Sequence, residues 1–139
     1  MGKRVLITGA AGNLVGLLAR RLLKDEVLLH LLVHRQDVSP ELKAKDNVNV
    51  FWADLAVRES LGSALDGVDT IVHFAGVLFK HNPEKFLKTT NTLYFKNLLD
   101  VAVQKGVKRV ILISFPHVEG ETTPDHPARG RLDGNPVSM

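Results

Sequence analysis

The run Val5-Leu6-Ile7-Thr8-Gly9-Ala10-Ala11-Gly12-Asn13-Leu14 constrains this chain more than any other feature. Arg4 to Thr8 read as a short, buried strand, which breaks into a glycine turn and passes directly into a helix. From Asn13 the apolar residues recur at helical spacing, and Leu14, Leu17, Leu18 and Leu22 are expected on one face. A strand, a glycine turn and a helix in that order form a site for a dinucleotide phosphate. The glycines let backbone approach the pyrophosphate, and the helix start offers unpaired N–H groups and a positive dipole end.

The rest of the chain alternates in the same way. Val27 to Val33 is a nearly continuous apolar run, as a parallel strand buried on both faces requires. Val48 to Trp52 is a third strand. Arg58 to Leu65 has helical spacing through Leu61 and Leu65 and is closed by Gly67. Thr70 to Phe74 is a fourth strand. Pro83 and Glu84 open a long helix with Leu87, Asn91, Tyr94, Leu98 and Ala102 on one face; Gly106 ends it, and Val110 to Ile113 form a fifth strand. Right-handed crossovers then give an α/β fold, a doubly wound parallel sheet ordered 3-2-1-4-5 that stops after the fifth strand. Residues 1–114 are expected to form this unit. Residues 115–139, punctuated by Pro116, Gly120, Pro124, Pro127, Gly130, Gly134 and Pro136, read as loop or tail.

Composition narrows the function. A length of 139 residues suits one domain but is short for a complete dinucleotide enzyme. The net charge of +3 is spread among interleaved acids and bases, so a solvated surface is expected and no nucleic-acid partner. The absence of cysteine excludes disulfides, thiolate metal sites and a Cys nucleophile. His30 and His34 share a strand face but lie too far apart to chelate one ion, so no metal is expected. No apolar run has the length of a membrane span and no signal peptide is visible, so a cytoplasmic protein with no membrane partner is expected.

With these segments placed, the chain resembles the short-chain dehydrogenase/reductase superfamily, in its NAD-dependent epimerase/dehydratase branch. Thr8-Gly9-Ala10-Ala11-Gly12 is similar to the TGxxG turn of that branch, and Ala53-Asp54-Leu55 to its adenine-contacting Asp-Leu pair. His73-Phe74-Ala75-Gly76 resembles the HxAG element under the cofactor ribose. Asn91 to Asn97 resembles the NVxGTxN helix, and Ile113-Ser114 with Val118 and Gly120 resembles SSxxVYG. The resemblance implies a Rossmann-type fold, a dinucleotide cofactor and a small-molecule substrate. The implied cofactor contacts are Gly9, Ala11, Gly12, Asn13, Leu14, His34, Arg35, Asp54, Leu55, Phe74, Ala75 and Gly76.

Two of these residues carry alternatives. Asp54 either accepts from the adenine amino group or caps a helix after its strand. Arg35 either holds a ribose 2′-phosphate or is a solvated loop arginine. The second strand ends Val33-His34-Arg35-Gln36, with the first acid delayed to Asp37. An acid at the strand end suits the 2′-hydroxyl of NAD, whereas a base suits the 2′-phosphate, so NADP is expected and NAD is the alternative. Asn91 interrupts an apolar face and needs a partner, through either an active-site water network or a buried hydrogen bond.

Three departures from the family pattern bear on activity. Val15 stands where the third glycine falls, with Gly16 one residue later, so the helix is expected to be pushed outward or to shift its entry. Phe115 occupies the place of the catalytic serine and Glu119 that of the motif tyrosine, leaving Ser114 beside them. The catalytic Tyr-x-x-x-Lys would begin at or just beyond Met139. Tyr94, the only tyrosine, is expected to pack. Asn91 and Ser114 are thus the remaining catalytic candidates. Two readings follow: the cofactor-binding portion of an oxidoreductase or nucleotide-sugar epimerase/dehydratase, inactive alone, or a non-catalytic NADP(H)-binding sensor or partner-binding module. An open edge on the fifth strand also allows a homo-oligomer.

Overall fold

Parallel pairing of five strands organises the molecule, a computed structural model that describes residues 2–76, 81–82, 84–114 and 120–131. The strands are β1 (Arg4–Thr8), β2 (Leu28–Val33), β3 (Val48–Trp52), β4 (Thr70–His73) and β5 (Arg109–Leu112), in the order β3-β2-β1-β4-β5. This is the expected doubly wound order. Pairing Leu6 with His30 and Ile71 sets the central register. Because side chains alternate across a strand, Val5, Ile7, Leu29 and Leu31 face one layer and Leu6, Leu32 and Ile71 the other.

The first layer is closed by α1 (Asn13–Leu22) and the short α2 (Pro40–Lys43), the second by α4 (Tyr94–Gln104) and two tight turns at Arg58–Leu61 and Ser63–Leu65. α1 begins at Asn13, as expected, but buries a different face. Val15 and Ala19 are buried, with Leu18 and Leu22 partly covered, whereas Leu14 is 67% and Leu17 65% exposed. Both stripes obey helical spacing, and the smaller Val15 and Ala19 are the ones that allow close approach to the sheet. Val15 therefore sits in the core, and Gly16 is not the close-packing glycine: a Cβ there would meet only the flexible end of Arg20.

Other expectations shift in detail. The span from Arg58 to Leu65 is two 3₁₀ turns in place of one α-helix, since Ser60 turns its hydroxyl onto the carbonyls of Asp54 and Val57 and tightens the chain. Leu61 and Leu65 are nevertheless fully buried. The long helix is composite: α3 (Glu84–Phe86), a π-helical stretch Leu87–Leu93, then α4. Pro83 lies outside the described residues. α2 has no counterpart in the sequence reading, and β5 begins and ends one residue earlier than expected. Residues 120–131 contain no helix or strand; residues 115–119 and 132–139 lie outside the described residues.

Candidate cofactor-binding site

The carboxyl ends of β1 to β4 open onto a cavity of about 630 Å³, walled by Gly9, Ala10, Ala11, His34, Arg35, Asp54, Leu55, Ala75 and Gly76, among others. Ligands bind at this end of such sheets, where the strand order reverses. Gly9 has φ +69°, and a Cβ on it would lie 3.1 Å from the Ala75 nitrogen, so backbone conformation and space both exclude a side chain. The Gly12 N–H donates to the Gly9 carbonyl at 3.0 Å and closes the turn. Gly12 is the N-cap of α1 in extended conformation, with no side-chain cap and no acid in the first turn. The positive end of α1 is therefore open to an anion.

The floor of the cavity is set by a buried relay. The Ala75 N–H donates to Thr8 Oγ1 at 3.2 Å, and the same hydroxyl is hydrogen-bonded to His73 Nδ1, 2.8 Å away. Burial lowers the His73 pKa to about 4, which keeps the ring neutral, and its face lies 4.8 Å from that of Phe95. This relay fixes Ala75 and Gly76 against β1. A Cβ on Gly76 would come 3.4 Å from Asn91 Oδ1, so Asn91 stands directly beside that turn.

At the other end of the cavity, His34 Nε2 lies 3.5 Å from Asp54 Oδ2, with both side chains partly exposed. Asp54 Oδ1 accepts from the Ala56 N–H at 2.8 Å, a turn bond and not a helix cap. Arg35 is exposed on the cavity wall. The delayed acid Asp37 is tied off: Lys43 Nζ reaches its Oδ2 at 2.6 Å and the Val38 N–H its Oδ1 at 2.9 Å. The Lys43 bond holds the Asp37 carboxyl below the usual carboxylate range.

Of the residues singled out in the sequence, Gly9, Ala11, His34, Arg35, Asp54, Leu55, Ala75 and Gly76 share the main cavity. Gly12 and Asn13 line an adjoining recess with Gly16, Arg20 and Ser39. The Leu14 side chain is in neither wall; it points to solvent because α1 buries the Val15 side. Phe74 packs back against the α1-side core. Ser114 is exposed and outside both walls. Phe115, Val118 and Glu119 lie outside the described residues. Tyr94, expected to pack, lines the cavity together with Phe86 and Thr90. Their spacing of four along one helical arm is the signal that could have found them. Among the described residues no three His, Asp or Glu side chains form a metal-holding group, and no helix is long and apolar enough to cross a membrane.

Comparison with known proteins agrees with this geometry. A family profile described as NAD(P)H-binding matches residues 9–133, and the chain belongs to that family. It is 36% identical over 118 residues to the uronate dehydrogenase of Pseudomonas putida, an alignment covering 84% of this chain and 42% of that protein. A UDP-Glc/GlcNAc 4-epimerase structure from Campylobacter jejuni superposes with a TM-score of 0.76 at 26% identity, covering 92% of this chain and 43% of the epimerase. A mutant uronate dehydrogenase from Agrobacterium tumefaciens, complexed with NAD, superposes with a TM-score of 0.70 at 30% identity, covering 93% of this chain and 49% of the other. The chain is thus similar to the NAD(P)-binding portion of short-chain dehydrogenase/reductase-type dehydrogenases and epimerases and spans less than half the length of these relatives.

Proposed function

We propose that this chain is the NADP(H)-binding portion of an oxidoreductase or nucleotide-sugar epimerase/dehydratase, and that it prefers NADP(H) to NAD(H). The observation that carries the preference is the rim after β2. His34 and Arg35 line the cavity there, while Asp37, the acid that would repel a 2′-phosphate, is held by Lys43. Gly9, Ala11, Gly12 and Asn13 hold the pyrophosphate, with the α1 dipole behind it. Asp54 and Leu55 take the adenine end, and Asp54 exchanges its contact with His34 for one with the base. Phe74, Ala75 and Gly76 pass under the ribose, with Asn91 beside them. When bound, the cofactor supplies hydride chemistry at its nicotinamide; these residues bind and orient it. The cofactor-binding unit ends near Ser114, and residues 115–139 lead toward the catalytic segment.

The test is a pair of titrations with NADPH and NADH. Arg35→Ala should weaken NADPH by about 1–3 kcal/mol, the scale of a lost charge-assisted contact, and leave NADH nearly unchanged. Equal losses for both cofactors would overturn the preference.

A further inference from the structure

The loop that forms the adenine-end wall is fastened from beneath by a residue that the cofactor reading does not use. Asn97 interrupts the buried face of α4, beside Leu98, Val101 and Ala102, and is only 5% exposed. Its Nδ2 donates to the Leu55 carbonyl at 2.9 Å and also lies 3.4 Å from that of Ala56. Its Oδ1 accepts from Arg58 Nε at 2.9 Å. Arg58 in turn pairs with Asp100 at 2.5 Å, and Asp100 with Lys96 at 2.9 Å. The start of the loop is held separately, by the Asp54 N–H donating to Ser60 Oγ at 3.0 Å. A buried amide in an apolar face has to find partners, and this one finds them in the backbone of a loop 42 residues away in sequence.

We propose that Asn97 is a positioning residue for the nucleotide end of the cofactor. It is not itself part of the cavity wall, but it holds the carbonyls of Leu55 and Ala56 so that Asp54 and Leu55 present one fixed wall. The proposal rests on the cofactor reading above. Truncating Asn97 leaves the Leu55 carbonyl and the Arg58 Nε–H without their partner, and the loop then relaxes toward water or other donors. Arg58 is secondary, because it meets Asn97 only on the carbonyl side and keeps Asp100 when Asn97 is altered.

The experiment uses the whole chain and two probes, NADPH and adenosine 2′,5′-bisphosphate, the latter carrying only the adenosine end. Asn97→Ala should weaken both by about tenfold, as expected for the loss of one or two buried hydrogen bonds. Asn97→Asp, close in shape and able to keep Arg58, should show a similar loss because it cannot donate to the Leu55 carbonyl; it also guards against an alanine variant that fails to fold. Arg58→Ala, which leaves the Asn97 bond to the Leu55 carbonyl in place, should change either affinity by less than about threefold. Amide exchange should quicken at Ala56 and Val57 in both Asn97 variants and stay unchanged in β1 and β2, which a general loss of stability would not produce. Affinity for the bisphosphate within about twofold of the unaltered chain in either Asn97 variant would overturn the proposal. Absence of binding by the unaltered chain would instead overturn the cofactor reading, with exchange at Ala56 still deciding whether Asn97 clamps the loop.

Discussion

β2 and β5 belong to the same parallel sheet, yet their surroundings are opposite. β2 lies between β1 and β3, and Leu29, Leu31, Leu32 and Val33 are all at most 2% exposed. Among the described residues β5 has one neighbouring strand, and Ile111, Leu112 and the following Ile113 are 43%, 50% and 46% exposed. Parallel strands are ordinarily covered on both faces. The side of the sheet that builds the glycine turn and the adenine wall is packed and tied. The side where the family resemblance puts its catalytic serine is open, and Ser114 stands exposed at its end. Under the proposed function, cofactor binding falls on the packed side of the sheet and catalysis on the open side.

The largest effect expected from this contrast is in turnover. The chain should catalyse no hydride transfer, epimerisation or dehydration when assayed with NADPH or NADH against carbonyl compounds and nucleotide sugars. Loss of a positioned proton-transfer group alone typically costs 10²–10⁴-fold, and orientation by a substrate-binding region adds to that. Measurable turnover would give Tyr94, already on the cavity wall, a catalytic place and erase the separation.

Next is packing. Leu31→Ala on β2 should destabilise by about 2–5 kcal/mol in urea unfolding, the range for a large-to-small change in a closed core.

The pH dependence comes third. The folded chain keeps His73 neutral down to about 4, whereas the unfolded chain protonates it from its ordinary value of 6.5. Protons thus favour the unfolded state, and stability should fall as pH drops from 6.5 to 4, by up to about 3 kcal/mol from this group. Burial also lowers the His30 pKa, so His30 adds to the loss in the same direction. His73→Asn, which retains a hydrogen-bonding partner for Thr8, should shrink the drop. An unchanged pH profile in that variant would contradict the buried relay.

The smallest effect is on the open side, where Ile111→Ala and Leu17→Gln should each change stability by under about 1 kcal/mol. A loss at Ile111 as large as that at Leu31 would mean that β5 is covered in solution.

Much of this was legible in the chain itself. The strands could be read because continuous runs such as Leu28 to Val33 have no other stable use, and the glycine turn because its chemistry is carried by backbone. The face of α1 was not legible. Leu14 and Leu17 add a second apolar stripe beside Val15 and Ala19, and only the fit against the sheet chooses between them. Phe86, Thr90 and Tyr94 were missed as wall residues although their spacing of four was visible, because Tyr94 reads equally well as part of a packing face with Leu87, Asn91 and Leu98. Asn97 shows the limit of pattern reading: a polar residue on an apolar face announces that a partner exists but not which one.

The central claim, that the glycine turn holds a dinucleotide, is tested most directly by titrating NADPH and NADH into the unaltered chain and into Gly12→Val. A side chain at Gly12 is allowed by its extended backbone but would stand 3.3 Å from the Gly9 carbonyl, inside the turn. Saturable binding by the unaltered chain, abolished in Gly12→Val with circular dichroism preserved, is the predicted result. Equal affinity in the two proteins, or no binding by the unaltered chain, would contradict it.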